Sequence, residues 1–163
     1  EERRARSDDL LRPSLLAFRP SMKLHRAGWR DFLAIWRVQA ATFGPDAWDP
    51  VEVFWQLLFA PVRIKAVDGD QVVGYVFAER RSRQGFVTSL GVHPARRRRG
   101  FGRELLKAAE RELATPTVGL TVRASNQAAQ SLYAAQGYRP VRRIPRYYSG
   151  GEDGVEMERR DLV

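Results

Sequence analysis

The chain contains no cysteine among its 163 residues, and this one absence removes three chemistries: a disulfide framework, a cysteine-ligated zinc site and a thiol nucleophile. Its two histidines leave little for a metal site of another kind. No run of about 18 apolar residues is present, so no segment reads as a membrane-spanning helix. The charged opening over residues 1–9 lacks the apolar stretch of a signal peptide. A soluble, intracellular, cytoplasmic protein is the expectation.

With 44% hydrophobic residues, the chain can bury enough apolar surface to fold without a disulfide or metal staple, so one globular domain is expected. The formal net charge is +9, from 28 basic against 19 acidic residues. The basic residues are nearly all arginine, whose planar fork suits bidentate contacts to phosphate, although a GC-rich genome produces the same bias.

Residues 1–20 mix both charge signs with two prolines and no clean period, which reads as an N-terminal tail or docking segment ahead of a domain over residues 21–163. The chain opens on Glu1 rather than methionine, as a trimmed chain would. From Ser21 the pattern becomes regular. Residues 22–26 alternate as a short strand, and Phe32, Ile35, Trp36 and Gln39 recur at helical spacing until Gly44-Pro45-Asp46 ends the helix. Over 50–59, Val51, Phe54, Trp55, Leu58 and Phe59 share one helical face, expected to be core.

Strand-forming runs at 63–67 and 71–79 are joined through Asp68-Gly69-Asp70, and 86–92 follows, which makes three consecutive antiparallel strands. An amphipathic helix is expected over 103–113 and a strand over 119–123. A helix over 126–136 is capped by Ser125 or Asn126 and closed by Gly137; strands over 138–144 and 155–160 finish the chain. The order β-α-α-β-β-β-α-β-α-β-β is an α+β arrangement whose clear crossovers are the helices after Val92 and Arg123.

The most informative stretch is Val92-His93-Pro94-Ala95-Arg96-Arg97-Arg98-Arg99-Gly100-Phe101-Gly102-Arg103-Glu104-Leu105-Leu106, a strand joined to a helix through a glycine-rich basic turn. Glycines at 100 and 102 let backbone N–H groups approach an anion closely. The helix N-terminus adds the positive end of its dipole and the arginines supply counter-charge, which together make a pyrophosphate cradle. Four arginines in isolation more often mean a solvated basic run or a nucleic-acid patch. A Rossmann site wants a third glycine where Leu105 stands, and a P-loop wants Gly-Lys-Ser/Thr; neither is present.

The stretch resembles the acetyl-CoA motif of the GNAT superfamily, Val-x-Pro-x-x-Arg/Gln-x-x-Gly-x-Gly/Ala, carried here by Arg97-Arg98-Arg99-Gly100-Phe101-Gly102. A second block, Leu120-Thr121-Val122-Arg123-Ala124-Ser125-Asn126 followed by Ser131-Leu132-Tyr133-Ala134-Ala135-Gln136-Gly137-Tyr138, is similar to the family's second region at the expected separation. The third, Tyr147-Tyr148-Ser149-Gly150-Gly151-Glu152-Asp153-Gly154-Val155-Glu156-Met157, resembles the tail of protein N-terminal (N-alpha) acetyltransferases, both RimI-like bacterial enzymes and archaeal and eukaryotic catalytic subunits.

The resemblance implies the three-layer GNAT fold: a mixed, mostly antiparallel sheet of about seven strands, splayed at the fourth and fifth and flanked by four helices. It implies acetyl-CoA as co-substrate and no metal. The backbone of Leu90, Gly91 and Val92 would pair with the pantetheine arm, with the Val92 amide donating to the thioester carbonyl, although an ordinary buried strand also fits these residues. Arg97, Arg98, Arg99, Gly100, Phe101, Gly102 and Arg103 would hold the pyrophosphate. Asn126 would contact the cofactor, though a Ser-Asn pair before a helix serves as a cap in any case. Tyr133 aligns with the family's general acid for the departing sulfur, with a core aromatic as the alternative. Tyr147 and Tyr148 would bind the first residues of a peptide, or form a plain strand-end aromatic pair.

The general base departs from the pattern. RimI-like enzymes carry a glutamate where this chain has Thr121, and a histidine of some archaeal relatives is matched by Phe86; His25 and His93 lie elsewhere. Asp46 is the leading carboxylate candidate, with Glu79 behind it. An α-amine of pKa near 8 is partly neutral at cytoplasmic pH, whereas lysine near 10.4 is almost wholly protonated, so a weak base with a relaying water favours an α-amine acceptor.

The implied reaction is direct attack of a neutral amine on the acetyl thioester in a ternary complex, the acceptor being a protein N-terminus, ribosomal proteins among the candidates. A small amine or lysine acceptor, or a non-catalytic CoA-binding module, are the alternatives. A partner protein or the ribosome is a candidate partner, no membrane is involved, and no RNA-binding aromatic motif points to direct nucleic-acid readout.

Overall fold

The computed structural model describes residues 22–160, so the tail reading of residues 1–20 lies outside the described residues. The order is β1 (Met22–Arg26), α1 (Phe32–Phe43), α2 (Pro50–Phe59), β2 (Val62–Asp68), β3 (Gln71–Arg81), β4 (Gln84–Val92), α3 (Phe101–Leu113), β5 (Thr117–Arg123), α4 (Gln127–Ala135), β6 (Arg139–Ile144) and β7 (Gly154–Arg160). Among the described residues, seven strands form one sheet in the order β1-β2-β3-β4-β5-β7-β6, in which only β4 and β5 pair in parallel.

Local chemistry sets the boundaries. The Asp49 side chain accepts from the Glu52 N–H at 2.9 Å and Pro50 opens α2, while Asn126 caps α4 through the Ala129 N–H at 3.0 Å. Gly69, at φ +62°, supplies the turn between β2 and β3. Along β3, Val76 and Ala78 face the α3 side with Leu105, Leu106 and Ala109, while Tyr75 and Phe77 face Ile35, Val38, Val53 and Leu57 from α1 and α2. Alternation across the pleat thus builds two cores, one on each side of the sheet.

One expectation is overturned. Helix α2 buries Val53 and Leu57, and the predicted core face is exposed, Val51 at 76% and Trp55 at 57%. Seven of the ten residues in α2 are apolar, so periodicity offers two stripes. The slimmer Val53–Leu57 pair sits against the sheet, and the bulky aromatics turn outward.

Candidate active site

Strands β4 and β5 pair only from Gln84↔Thr117 to Val87↔Leu120, then part. Thr88 is an extra residue in β4, skipped between the pairs Ala78↔Val87 and Phe77↔Ser89, and its hydroxyl donates to the Phe77 carbonyl at 3.1 Å. Beyond that bulge, the His93 N–H donates to the Val73 carbonyl at 2.8 Å, which makes Gly74–Val92 a wide pair and Tyr75–Gly91 a narrow one. The main-chain N–H and C=O groups of Leu90 and Val92 therefore point away from β3, into the gap that β5 has vacated.

The gap opens to both sides of the sheet. Leu120 and Val122 belong to the α3-side core, so Thr121 and Arg123 face the α1–α2 side. On the α3 side, a Cβ added to Gly102 would stand 3.1 Å from Leu132 and within 4 Å of Val92 and Leu90, so the missing side chain keeps that entrance open.

At this end, α3 begins at Gly100, in the left-handed region at φ +87°, with Arg98 also at positive φ, and no side chain caps the helix. The first N–H groups of α3 are left for an external acceptor, at the positive end of the dipole. The arginines divide. Arg96 and Arg99 lie 3.3 and 4.0 Å from Asp68, Arg97 donates to the Val92 carbonyl at 3.3 Å, and Arg103 pairs with Glu104 at 3.1 Å. Arg98 has no acidic partner among the described residues. A helix start without a side-chain cap among the described residues, with arginines in the turn before it and a glycine-lined entrance, fits a diphosphate carrying a narrow arm.

Tyr133, on α4, is 8% exposed, and burial pushes its phenol up to about 12. Its hydroxyl has no hydrogen-bond partner among the described residues. The residue before it, Leu132, packs at the Gly102 entrance with Val92 and Leu90, which places this turn of α4 beside the gap. Tyr138 anchors the end of α4: its N–H donates to the Tyr133 carbonyl at 3.0 Å and its hydroxyl donates to Glu110 at 2.8 Å. Arg159 completes this buried network, 3.2 Å from Glu110.

On the α1–α2 side, loops meet over β5. Arg123 forms ion pairs with Asp46, before α2, and with Glu152, between β6 and β7; Ser149 also donates to Asp46. The Arg123 guanidinium lies 4.5 Å from the Tyr148 ring, and the Tyr148 hydroxyl donates to the Thr121 carbonyl at 3.1 Å. Tyr147 stands edge-on to Tyr148 at 5.0 Å and is half exposed. Gly154 permits this closure, since a Cβ there would sit 2.8 Å from the Thr121 methyl.

Of the residues singled out in the sequence, Leu90, Gly91, Val92, Gly100, Phe101, Gly102, Asn126, Tyr133, Asp46, Tyr147 and Tyr148 lie on the gap or on segments bordering it. The Asn126 side-chain oxygen is taken by the α4 cap. Glu79 pairs with Phe86 in the sheet, three residues along β3 from the Val76–Leu90 pair, or about 10 Å. Its carboxylate is bonded to Arg81 at 2.7 Å. The sequence reading gave no role to Arg123, Glu152 or Glu110; Arg123 stood within the Leu-Thr-Val-Arg block and Glu152 within the block after Tyr147, whereas Glu110 carried no signal.

The acetyltransferase (GNAT) family profile matches residues 24–138. The chain is 36% identical over 100 residues to the N-terminal acetyltransferase B complex catalytic subunit NAA20 of Arabidopsis thaliana, covering 56% of this chain and 57% of that one. It is 35% identical over 123 residues to the N-alpha-acetyltransferase RimI of Mycobacterium tuberculosis, covering 71% and 77%. In fold it is similar to the ribosomal-protein-S18-alanine N-acetyltransferase of Escherichia coli, with TM-score 0.78, 21% identity and coverage of 86% and 94%. It is also similar to one chain of a NatC complex solved with Gag peptide and CoA, with TM-score 0.76, 18% identity and coverage of 85% and 98%.

Proposed function

Because this chain belongs to the GNAT acetyltransferase family, we propose that it transfers an acetyl group from acetyl-CoA to the N-terminal α-amine of a protein. The observation that carries this reading is the gap between β4 and β5, with free amides on one wall, Tyr133 beside it and an uncapped helix start at one end. Acetyl-CoA supplies an activated acyl group on a thiol leaving group.

The start of α3 and the arginines beside it hold the diphosphate, and the Leu90 and Val92 amides align the arm as a further strand would. The Val92 N–H stabilises the charge that develops on the carbonyl oxygen, preorganised because its own strand fixes it. Tyr133 donates a hydrogen bond to the leaving sulfur. Burial holds the phenol well above a thiol's ordinary pKa of about 8.5, so full proton transfer runs uphill and the hydrogen bond is its main contribution.

The acceptor enters from the α1–α2 side, past Tyr147 and Tyr148. Asp46 is occupied by Arg123 and Ser149, and Glu79 lies along the sheet, so water carries the amine proton away. This arrangement favours an acceptor that is already neutral: near pH 7 an α-amine of pKa about 8 is deprotonated roughly 250 times more often than a lysine of pKa about 10.4. The names of the Arabidopsis and mycobacterial relatives support the same acceptor class. A partner protein or the ribosome presenting a new N-terminus, and a cytoplasmic setting, accord with it.

Incubation with acetyl-CoA and a library of peptides carrying free N-termini and internal lysines tests the reading. Mass spectrometry should place the acetyl group on the α-amine, and acetylation confined to lysine would reject it.

That no carboxylate at the gap is unpaired among the described residues also favours a second reading, a CoA-binding protein without turnover. It predicts a raised Tm with acetyl-CoA but no CoA release with any peptide.

A further inference from the structure

The helices α1 and α2 carry an apolar surface that the proposed reaction does not use. Trp29, in the turn before α1, and Leu33 and Trp36 on α1 recur three or four residues apart, and Phe54, Trp55, Leu58 and Phe59 form the outward stripe of α2. These seven side chains are each 37% to 58% exposed. The two stripes are one patch: Phe32 stacks on Trp36 at 6.4 Å and meets Phe54 edge-on at 5.8 Å.

The size of the patch decides what fits it. Seven large side chains at about half exposure leave roughly 700 Å² uncovered, taking about 150–250 Å² for each. The largest apolar patch of an ordinary monomer is about 300–600 Å². A standard interface takes about 800 Å² from each partner, so this surface with a polar rim is the right size for one.

The rim identifies the occupant. Arg37 on α1 and Arg30 in the turn before it are exposed and have no acidic partner among the described residues, Arg30 lying over the Trp29 ring at 5.3 Å. At the start of α2, Asp49 caps the helix by accepting from the Glu52 N–H and Glu52 accepts from Gln56, and neither has a basic partner among the described residues. Among the described residues, one patch thus carries cations without an acidic partner beside α1 and anions without a basic partner at the start of α2. That is self-complementary under a two-fold axis that lays α1 of one copy against α2 of the next.

We propose that the chain forms a two-fold homodimer through this α1–α2 face. Trp55 and Leu33 lie in its buried centre, where large apolar side chains dominate affinity. The loop carrying Asp46 joins the two interface helices, so the dimer also steadies the acceptor side of the gap.

Sedimentation equilibrium of the full chain at micromolar concentration tests this. The expected mass is twice 18.6 kDa. Trp55→Glu and, separately, Leu33→Glu should each return the monomer mass with unchanged far-UV circular dichroism, two sites guarding against one variant's misfolding. A monomer for the unsubstituted chain overturns the proposal and leaves the face to residues 1–20 or to a protein of another sequence. A dimer that survives both substitutions also overturns it, because the contact would lie elsewhere.

Discussion

Arg123, at the end of β5, and Asp46, in the loop between α1 and α2, form an ion pair that fastens the acceptor side of the gap. Glu152 and Ser149 join them from the β6–β7 loop, so one arginine ties together segments whose residues stand up to 103 positions apart in sequence. Both side chains of the pair are about one fifth exposed, which spares it part of the screening that weakens surface pairs.

If the pair positions the loops, Asp46→Ala and Arg123→Ala should each raise the peptide KM, by about tenfold, the effect of losing about 1.4 kcal/mol of binding. Acetyl-CoA affinity should not change. A double-mutant cycle on stability should return a coupling of about 1 kcal/mol. A loss confined to kcat in Asp46→Asn would instead make Asp46 the base.

Hydrogen bonds from Ser125 and then Arg123 hold the Glu152 carboxyl below its ordinary value of 4.5. A depressed folded-state pKa contributes stability that is complete above the unfolded value and fades as pH falls through the folded one. Thermal melts should therefore find Glu152→Gln less stable than the parent at pH 7, with the difference shrinking below pH 4.5. A gap of constant size down to pH 3 would show that the carboxylate charge is not what stabilises the loop.

Tyr133→Phe should lower kcat by about 100-fold, the usual effect of removing one preorganised donor, while acetyl-CoA binding measured by calorimetry stays the same. Because burial holds the phenol near 12, the parent profile should show no fall in kcat from this group up to pH 10. An unchanged kcat in the variant would reduce Tyr133 to a core aromatic.

Gly100→Ala puts a side chain on a residue at φ +87°, where a non-glycine residue costs roughly 1–2 kcal/mol. The Tm should fall, and the acetyl-CoA Kd should rise by about tenfold as the start of α3 shifts. Lost stability with unaltered Kd would separate the turn from the cradle.

The sequence was legible where a local rule governs the outcome. The glycine-rich turn, the Asn126 cap and the Asp68-Gly69-Asp70 hairpin each depend on neighbours within a few residues, and each stands where expected. The family motifs carried the splayed pair, which no periodicity reveals. Helix α2 misled because an almost wholly apolar helix has no preferred face until the sheet chooses one. The ties of Asp46 to Arg123, and of Arg99 to Asp68, are long-range pairings between unremarkable charges, and spacing along the chain carries no trace of them.

The central claim is tested most directly by CoA release with two peptides of one sequence, both containing an internal lysine, one with a free N-terminus and the other N-terminally blocked. Transfer to the α-amine predicts turnover with the free peptide that rises with pH, is half-maximal at about pH 8 and levels off about one unit above it, and none with the blocked one. Equal turnover with both peptides would contradict the account.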